Sequence, residues 1–218
     1  MLALYGHPFS SYTWKAQIAL HASGLDYELR VIDAEHPEYG EFVQNNAGPL
    51  GLFPVLVDGA NVLFEASCII EYLSQAYPCP LPLLAADPHA AIGQRMLDRV
   101  FDNYVMTPMN EVVREHIRPP EDQDMTRCDA AKERLRRSYA WIESWLAHYA
   151  IAPDHVTLIE CAAAPSLFYA DWVEPISEDC PRLRNWRQHL NALPAVSLCI
   201  EAARPFRAWF PPGAPDRD

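Results

Sequence analysis

The spacing of apolar and polar positions divides the chain into a mixed first third and a helical remainder. Leu2-Ala3-Leu4-Tyr5 is an apolar run of strand length, broken by Gly6-His7-Pro8-Phe9. Trp14, Ile18 and Ala22 then recur at helical spacing behind the hydroxyls of Ser10, Ser11 and Thr13, a helix start by residue type. Gly24 stands where a helix takes a left-handed closing residue. Tyr27 to Ile32 alternates polar and apolar side chains, as a half-buried strand does. The stretch 33–52 is polar and rich in Asn, Gly and Pro, so it is expected to be irregular, with a short helix at Phe42-Val43. Two apolar runs flank Asp58-Gly59, a hairpin signal, and Ile69, Tyr72 and Leu73 form the stripe of a further helix.

Pro78, Pro80, Pro82 and Pro88 exclude helix and central strand between Tyr77 and Pro88, which reads as an interdomain linker. The division expected is 1–77 and 87–218. Beyond the linker the pattern is helical throughout. Residues 87–116 predict one long amphipathic helix, with Met96, Val100, Tyr104 and Val105 on one side. Arg95, Asp98, Arg99 and Asp102 occupy polar positions, and Pro108 is a candidate kink. A helix over 125–148 turns Leu135, Tyr139, Ile142, Trp145 and Leu146 inward and leaves Lys132 to Arg137 solvated. Thr157-Leu158-Ile159-Glu160 matches a capping box ahead of an apolar helix that Pro165 is expected to kink. Pro181 and Pro194 open two more helices. The aromatic tail, Phe206, Trp209 and Phe210, is expected to fold back onto the body.

Composition narrows the function. Half of the 218 residues are hydrophobic and the net charge is −12, with Lys15 and Lys132 the only lysines. That balance argues against nucleic acid and against an anionic membrane surface as partners, although a few local donors suffice for a small anion. No charged-then-apolar leader and no apolar run of bilayer length appear, so a cytoplasmic location is expected. The six cysteines are scattered without a C-x-x-C pair, the usage of free thiols rather than a disulfide framework. None of the histidines shows metal-ligand spacing, and no metal is expected.

The chemistry concentrates where the first strand turns into the first helix. A helix start leaves N–H groups unpaired and carries a partial positive charge, and a hydroxyl there can hold an anion such as a thiolate. Helix capping by Ser10 and Ser11 is the plainer use of the same residues. The segment Pro8-Phe9-Ser10-Ser11-Tyr12-Thr13-Trp14-Lys15 resembles the start of the soluble glutathione transferases, closest to zeta-like bacterial members. Phe53-Pro54 and Glu65-Ala66-Ser67, leading into Ile69, Tyr72 and Leu73, are similar to that family's next two motifs and follow in its order. Thr157 to Glu160 extends the likeness into the helical half.

The resemblance implies a thioredoxin-like N-terminal domain followed by an all-helical one, an α/β plus all-α architecture. It implies glutathione as co-substrate, lying along Phe53, a cis Pro54, Glu65, Ala66 and Ser67, with Ser10 stabilising the thiolate. Ser11 is the reserve donor, and Tyr12 replaces the cysteine of the zeta-like pattern. Lowering a thiol pKa of about 8.5 by two units needs about 2.7 kcal/mol of preference for the anion. Leu52 stands where many relatives have lysine, and Ala66 where the signature has serine. Those losses would weaken binding by roughly 2–4 kcal/mol together, unless His36, Gln44 or Arg99 compensates. The electrophile pocket is expected to include Phe9, Tyr104 and Met109. A homodimer with the helix from Asp87 at its interface is expected by family analogy. The alternatives are a glutathione-dependent cis–trans isomerase of the maleylacetoacetate type, and a binding protein that keeps the fold without the ligand.

Overall fold

A computed structural model describes residues 1–152 and 154–218. The first third forms a four-stranded sheet in the order β2-β1-β3-β4, from β1 (Leu2–Gly6), β2 (Tyr27–Val31), β3 (Val55–Asp58) and β4 (Asn61–Phe64). β1 runs parallel to β2 and antiparallel to β3. It lies inside the sheet, so its backbone is hydrogen-bonded on both sides and every residue is buried. Alternate side chains then serve opposite faces. Leu2 and Leu4 join α1 (Ser11–Ala22) and α3 (Ala66–Ala76) in the main core, while Ala3 and Tyr5 meet Val43 and Val55 beneath α2 (Pro37–Asn46).

That second helix contains the short helix expected at Phe42-Val43 but is longer, so less of 33–52 is irregular than the composition indicates. Pro37 occupies its first turn, and Tyr39, Phe42 and Val43 supply an i, i+3, i+4 face that periodicity diluted by Gly40 and Asn45 conceals. Phe42 stacks on Tyr5 with ring centroids 4.4 Å apart. The hairpin is present, with Asp58 paired to Asn61 and Gly59 at φ 58° in the turn. Gly24, at φ 64°, closes α1 as the sequence indicates.

The helical part comprises α4 (Pro88–Val100), α5 (Thr107–Ile117), α6 (Met125–Leu146), α7 (Leu158–Val173), α8 (Pro181–Ala192) and α9 (Pro194–Ala203). The long helix expected over 87–116 is continuous from Pro88 to Ile117, but it is interrupted in character by a π-helical stretch at Phe101–Met106, between α4 and α5. Pro108 explains it. Without an N–H it cannot satisfy the Tyr104 carbonyl one turn back, and its ring crowds that oxygen. The turn widens, the Thr107 N–H bonds to Asp102 O, and Ser138 Oγ donates to the stranded Tyr104 carbonyl at 2.7 Å. The wider turn also changes the phase of the buried face. Leu97, Asp98, Phe101, Val105 and Met106 point inward, whereas Met96 and Tyr104, expected inside, are exposed.

All of α7 is buried, and the helix continues through Pro165. The Thr157–Glu160 box that opens it is formed, with the Thr157 N–H donating to Glu160 Oε2 at 2.9 Å. Trp14 of α1 packs on Phe168 and Tyr169 of α7, which fastens the sheet to the helices. The tail returns as expected: Phe210 lies against Tyr169 and Trp172, and Phe206 against His7. No described helix is long and apolar enough to cross a membrane.

Candidate active site

The turn between β1 and α1 is held from several directions. The His7 N–H donates to Thr13 Oγ1 at 3.2 Å, and the Phe9 N–H to His7 Nδ1 at 3.1 Å. Trp14 Nε1 donates to Pro8 O at 2.6 Å, and the Tyr169 hydroxyl to Phe9 O at 3.0 Å. Gly6 is obligatory here, because a Cβ would sit 2.5 Å from Thr13 Oγ1. Burial depresses the His7 pKa, against the weaker opposing pull of Asp33. A neutral ring keeps Nδ1 as the acceptor that Phe9 needs.

Ser10 follows as the N-cap of α1, its Oγ accepting the Thr13 N–H at 3.2 Å. A serine hydroxyl accepts through lone pairs and donates through its one proton, so capping leaves the donor available. The two uses of Ser10 are compatible. Ser11 begins the helix and is largely buried.

Two cavities meet beside this serine. One, of about 550 Å³, is lined by Phe53, Pro54, Glu65, Ala66, Arg99 and Asp102 among others. The second, of about 380 Å³, takes its walls from Phe9, Ser10, Met109, Tyr169, Trp209 and Phe210. Tyr12, Leu52, Phe53, Asn110 and Arg114 line both. The Phe53–Pro54 peptide is cis. Glu65, at φ 66° and ψ 110°, is the one non-glycine residue with positive φ among the described residues. A backbone held there costs on the order of 1–3 kcal/mol. Glu65 is the N-cap of α3, yet its side chain makes no capping bond and stays exposed at the cavity. Burial first, then the charges of Asp102 and Glu65, push the Tyr12 phenol up to about 12, so it keeps its proton.

Beneath the first cavity lies a buried ionic cluster. Lys15 Nζ contacts Asp98 Oδ1 at 2.5 Å and Asp102 Oδ2 at 2.7 Å, and donates to Ser67 Oγ at 2.9 Å. Ser67 donates in turn to Asp98 Oδ2 at 2.9 Å, and Arg99 pairs with the same carboxylate. Burial raises the Asp102 pKa, with Lys15 opposing it.

The expected site residues therefore separate. Ser10, Ser11, Tyr12, Leu52, Phe53, Pro54, Glu65, Ala66, Phe9 and Met109 all line one cavity or both. Ser67 touches the first cavity, but its hydroxyl is engaged by Lys15 and Asp98. Tyr104 lines neither, because the π-helical stretch turns it to solvent. His36 and Gln44 also lie off both cavities, and Arg99 alone of the three candidate substitutes reaches the first. Sequence reasoning missed Asn110, Arg114, Tyr169, Trp209 and Phe210. For Asn110 and Arg114, i and i+4 on one face of α5, the available signal was two polar positions beside the apolar Met109 and Val113.

The family profile described as "Glutathione S-transferase, N-terminal domain" matches residues 4–82, and "Glutathione S-transferase, C-terminal domain" matches residues 105–194. The chain belongs to the glutathione S-transferase family. Its fold is that of the family, a thioredoxin-like domain followed by helices. Glutathione S-transferase 1 of Dianthus caryophyllus is 29% identical over 171 residues, 76% of each chain. A probable maleylacetoacetate isomerase of Vibrio cholerae is 27% identical over 218 residues, covering 94% of this chain and 97% of that protein. Among solved structures, a glutathione transferase family member from Pseudomonas fluorescens Pf-5 with bound glutathione superposes at TM-score 0.75. It is 26% identical and covers 91% of this chain and 98% of that one.

Proposed function

We propose that the chain is a glutathione transferase that binds glutathione in the larger cavity and uses Ser10 to keep its sulfur as a thiolate. The observation that carries this reading is the position of Ser10. It caps α1, retains a hydroxyl proton, and stands on the wall of the smaller cavity beside Tyr12, which faces both. A donor and a helix N-terminus together supply the couple of kcal/mol, roughly, that lowering the thiol pKa by two units requires. The thiolate attacks an electrophile in the smaller cavity; a carbon–sulfur bond forms and the leaving group departs with its electron pair. Glu65, Ala66 and the Phe53–Pro54 backbone hold the peptide. Ser11 is the reserve donor, and the Tyr12 phenol offers a second neutral donor to the reacting centre.

The glutathione-binding unit spans 1–77 and the electrophile-binding unit 87–218. A homodimer is supported by apolar surface on β4 and α4, where Phe64, Ile92 and Met96 are exposed. Conjugation of electrophiles is a chemistry suited to a detoxifying role, and the reducing compartment that six free cysteines indicate suits a cytoplasmic one.

A second reading is a glutathione-dependent isomerase, in which the thiolate adds to a double bond and leaves again. The probable maleylacetoacetate isomerase that resembles this chain nearly end to end favours it, as does the Ser10-Ser11 pair followed by Trp14. Calorimetric titration with glutathione, on the parent and on Glu65→Ala, tests the shared premise. Saturable heat lost in the variant supports it; no heat from the parent turns the chain into a binding protein that has dispensed with glutathione. Turnover of an aromatic halide against maleylacetone, with Ser10→Ala as control, separates transferase from isomerase.

A further inference from the structure

Arg114 stands apart from every other arginine of the chain. Among the described residues, each of the others has a carboxylate oxygen within 4.0 Å. With 29 acidic residues against 17 basic ones, a guanidinium without a carboxylate partner is an exception. The acids that flank it on α5 are occupied. Glu111 is held by Arg134 through both oxygens, and Glu115 accepts the Asp124 N–H at 2.7 Å and Arg118 at 3.3 Å.

Arg114 also lies where such a charge has a use. It lines the smaller cavity, whose other described walls include Phe9, Met109, Val113, Trp209 and Phe210 and no Asp or Glu. Its charge reaches the reacting centre, since it is the cation that acts on the Tyr12 phenol. A guanidinium offers paired N–H donors that match a carboxylate, and an aromatic wall suits an apolar body.

We infer that the electrophile is an anion, an apolar or aromatic body carrying a carboxylate that Arg114 holds. This rests on the transferase reading of the two cavities. It selects within that reading, favouring charged electrophiles over neutral ones of the same shape.

The test compares 4-chloro-3-nitrobenzoate with 4-chloro-3-nitrobenzamide as electrophiles for glutathione. In each, the thiolate forms the carbon–sulfur bond and chloride leaves with the carbon–chlorine pair. Relative to the uncatalysed rates, the parent is expected to favour the benzoate in kcat/KM by about ten- to a hundredfold. The ratio should fall to near one in Arg114→Gln and recover in part in Arg114→Lys. Equilibrium binding of the unreactive 3-nitrobenzoate and 3-nitrobenzamide, followed by quenching of Trp209 on the cavity wall, reads the same preference without turnover. A parent ratio near one overturns the inference, as does a ratio that Arg114→Gln leaves in place. A variant that loses glutathione affinity while keeping the ratio also overturns it, assigning Arg114 to the peptide instead. Retained anion preference in a protein that binds no glutathione would sink the transferase reading and leave this selectivity standing.

Discussion

The ammonium of Lys15 lies 2.5 Å from the carboxylate of Asp98, linking the first helix of the sheet half to the first helix of the other half. Both are sealed from solvent, Lys15 at 1% exposure and Asp98 at 0%. Removing Lys15 leaves Asp102 without its cation and Asp98 with Arg99 alone, and breaking such a buried cluster costs up to about 3–5 kcal/mol. Lys15→Met is therefore expected to lower the urea midpoint by that equivalent at unchanged slope. Adding Asp98→Asn should recover part of the loss. An unchanged midpoint for the single variant would remove the cluster from the forces joining the halves.

Ser10→Ala should act on the thiol first. With the hydroxyl gone, the pKa of bound glutathione is expected to return toward about 8.5. Below both values the thiolate fraction, and kcat/KM with it, falls by about a hundredfold for a two-unit change. The variant also loses a cap worth about 1 kcal/mol. The pH profile distinguishes the two effects, since lost stability does not move its acid limb.

Tyr12→Phe should leave that limb in place. The phenol titrates near 12, so it stays protonated across the working range and contributes no ionisation there. Its loss is expected to reduce kcat/KM by less than about tenfold, the effect of one neutral hydrogen bond. A limb that moves in Tyr12→Phe and stays in Ser10→Ala would exchange the two roles.

How far the sequence carried depended on the range of each signal. Thr157 and Glu160 were readable because a capping box is closed within four residues of chain. Gly24 and the Asp58-Gly59 hairpin are equally local. Asp98 reads only as a polar position of its helix; its burial becomes visible through the opposing Lys15, far away in the chain. Tyr104 failed for another reason. A constant helical period cannot anticipate that Pro108 widens the preceding turn and shifts the phase. The cavity wall from Trp209 and Phe210 arises from the return of the tail, and its position depends on tertiary packing. Ser67 was placed by motif adjacency, and its hydroxyl proved to serve the Lys15 cluster.

His7 gives the first turn a pH response. Its folded-state pKa lies below the ordinary 6.5, so the folded chain binds fewer protons there than the unfolded one. Stability from this group is present above that value and declines as the pH falls through it. Protonation at Nδ1 also removes the acceptor of the Phe9 N–H. Between about pH 7.5 and 5.5 the parent should lose more stability than His7→Gln, measured by urea unfolding at each pH. Parallel curves would rule this contribution out.

The carbonyls of Pro8 and Phe9 are gripped from different sides, one by the indole of Trp14 and the other by the phenol of Tyr169. The strand-and-turn segment that leads into the Ser10 cap is thus braced by a helix more than a hundred and fifty residues downstream. A fragment cut after the sheet would retain Ser10 yet lose the Tyr169 bond to the adjoining Phe9 carbonyl. The two halves are one device in two pieces, and grafting the first onto a foreign helical partner would require Tyr169 to travel with it.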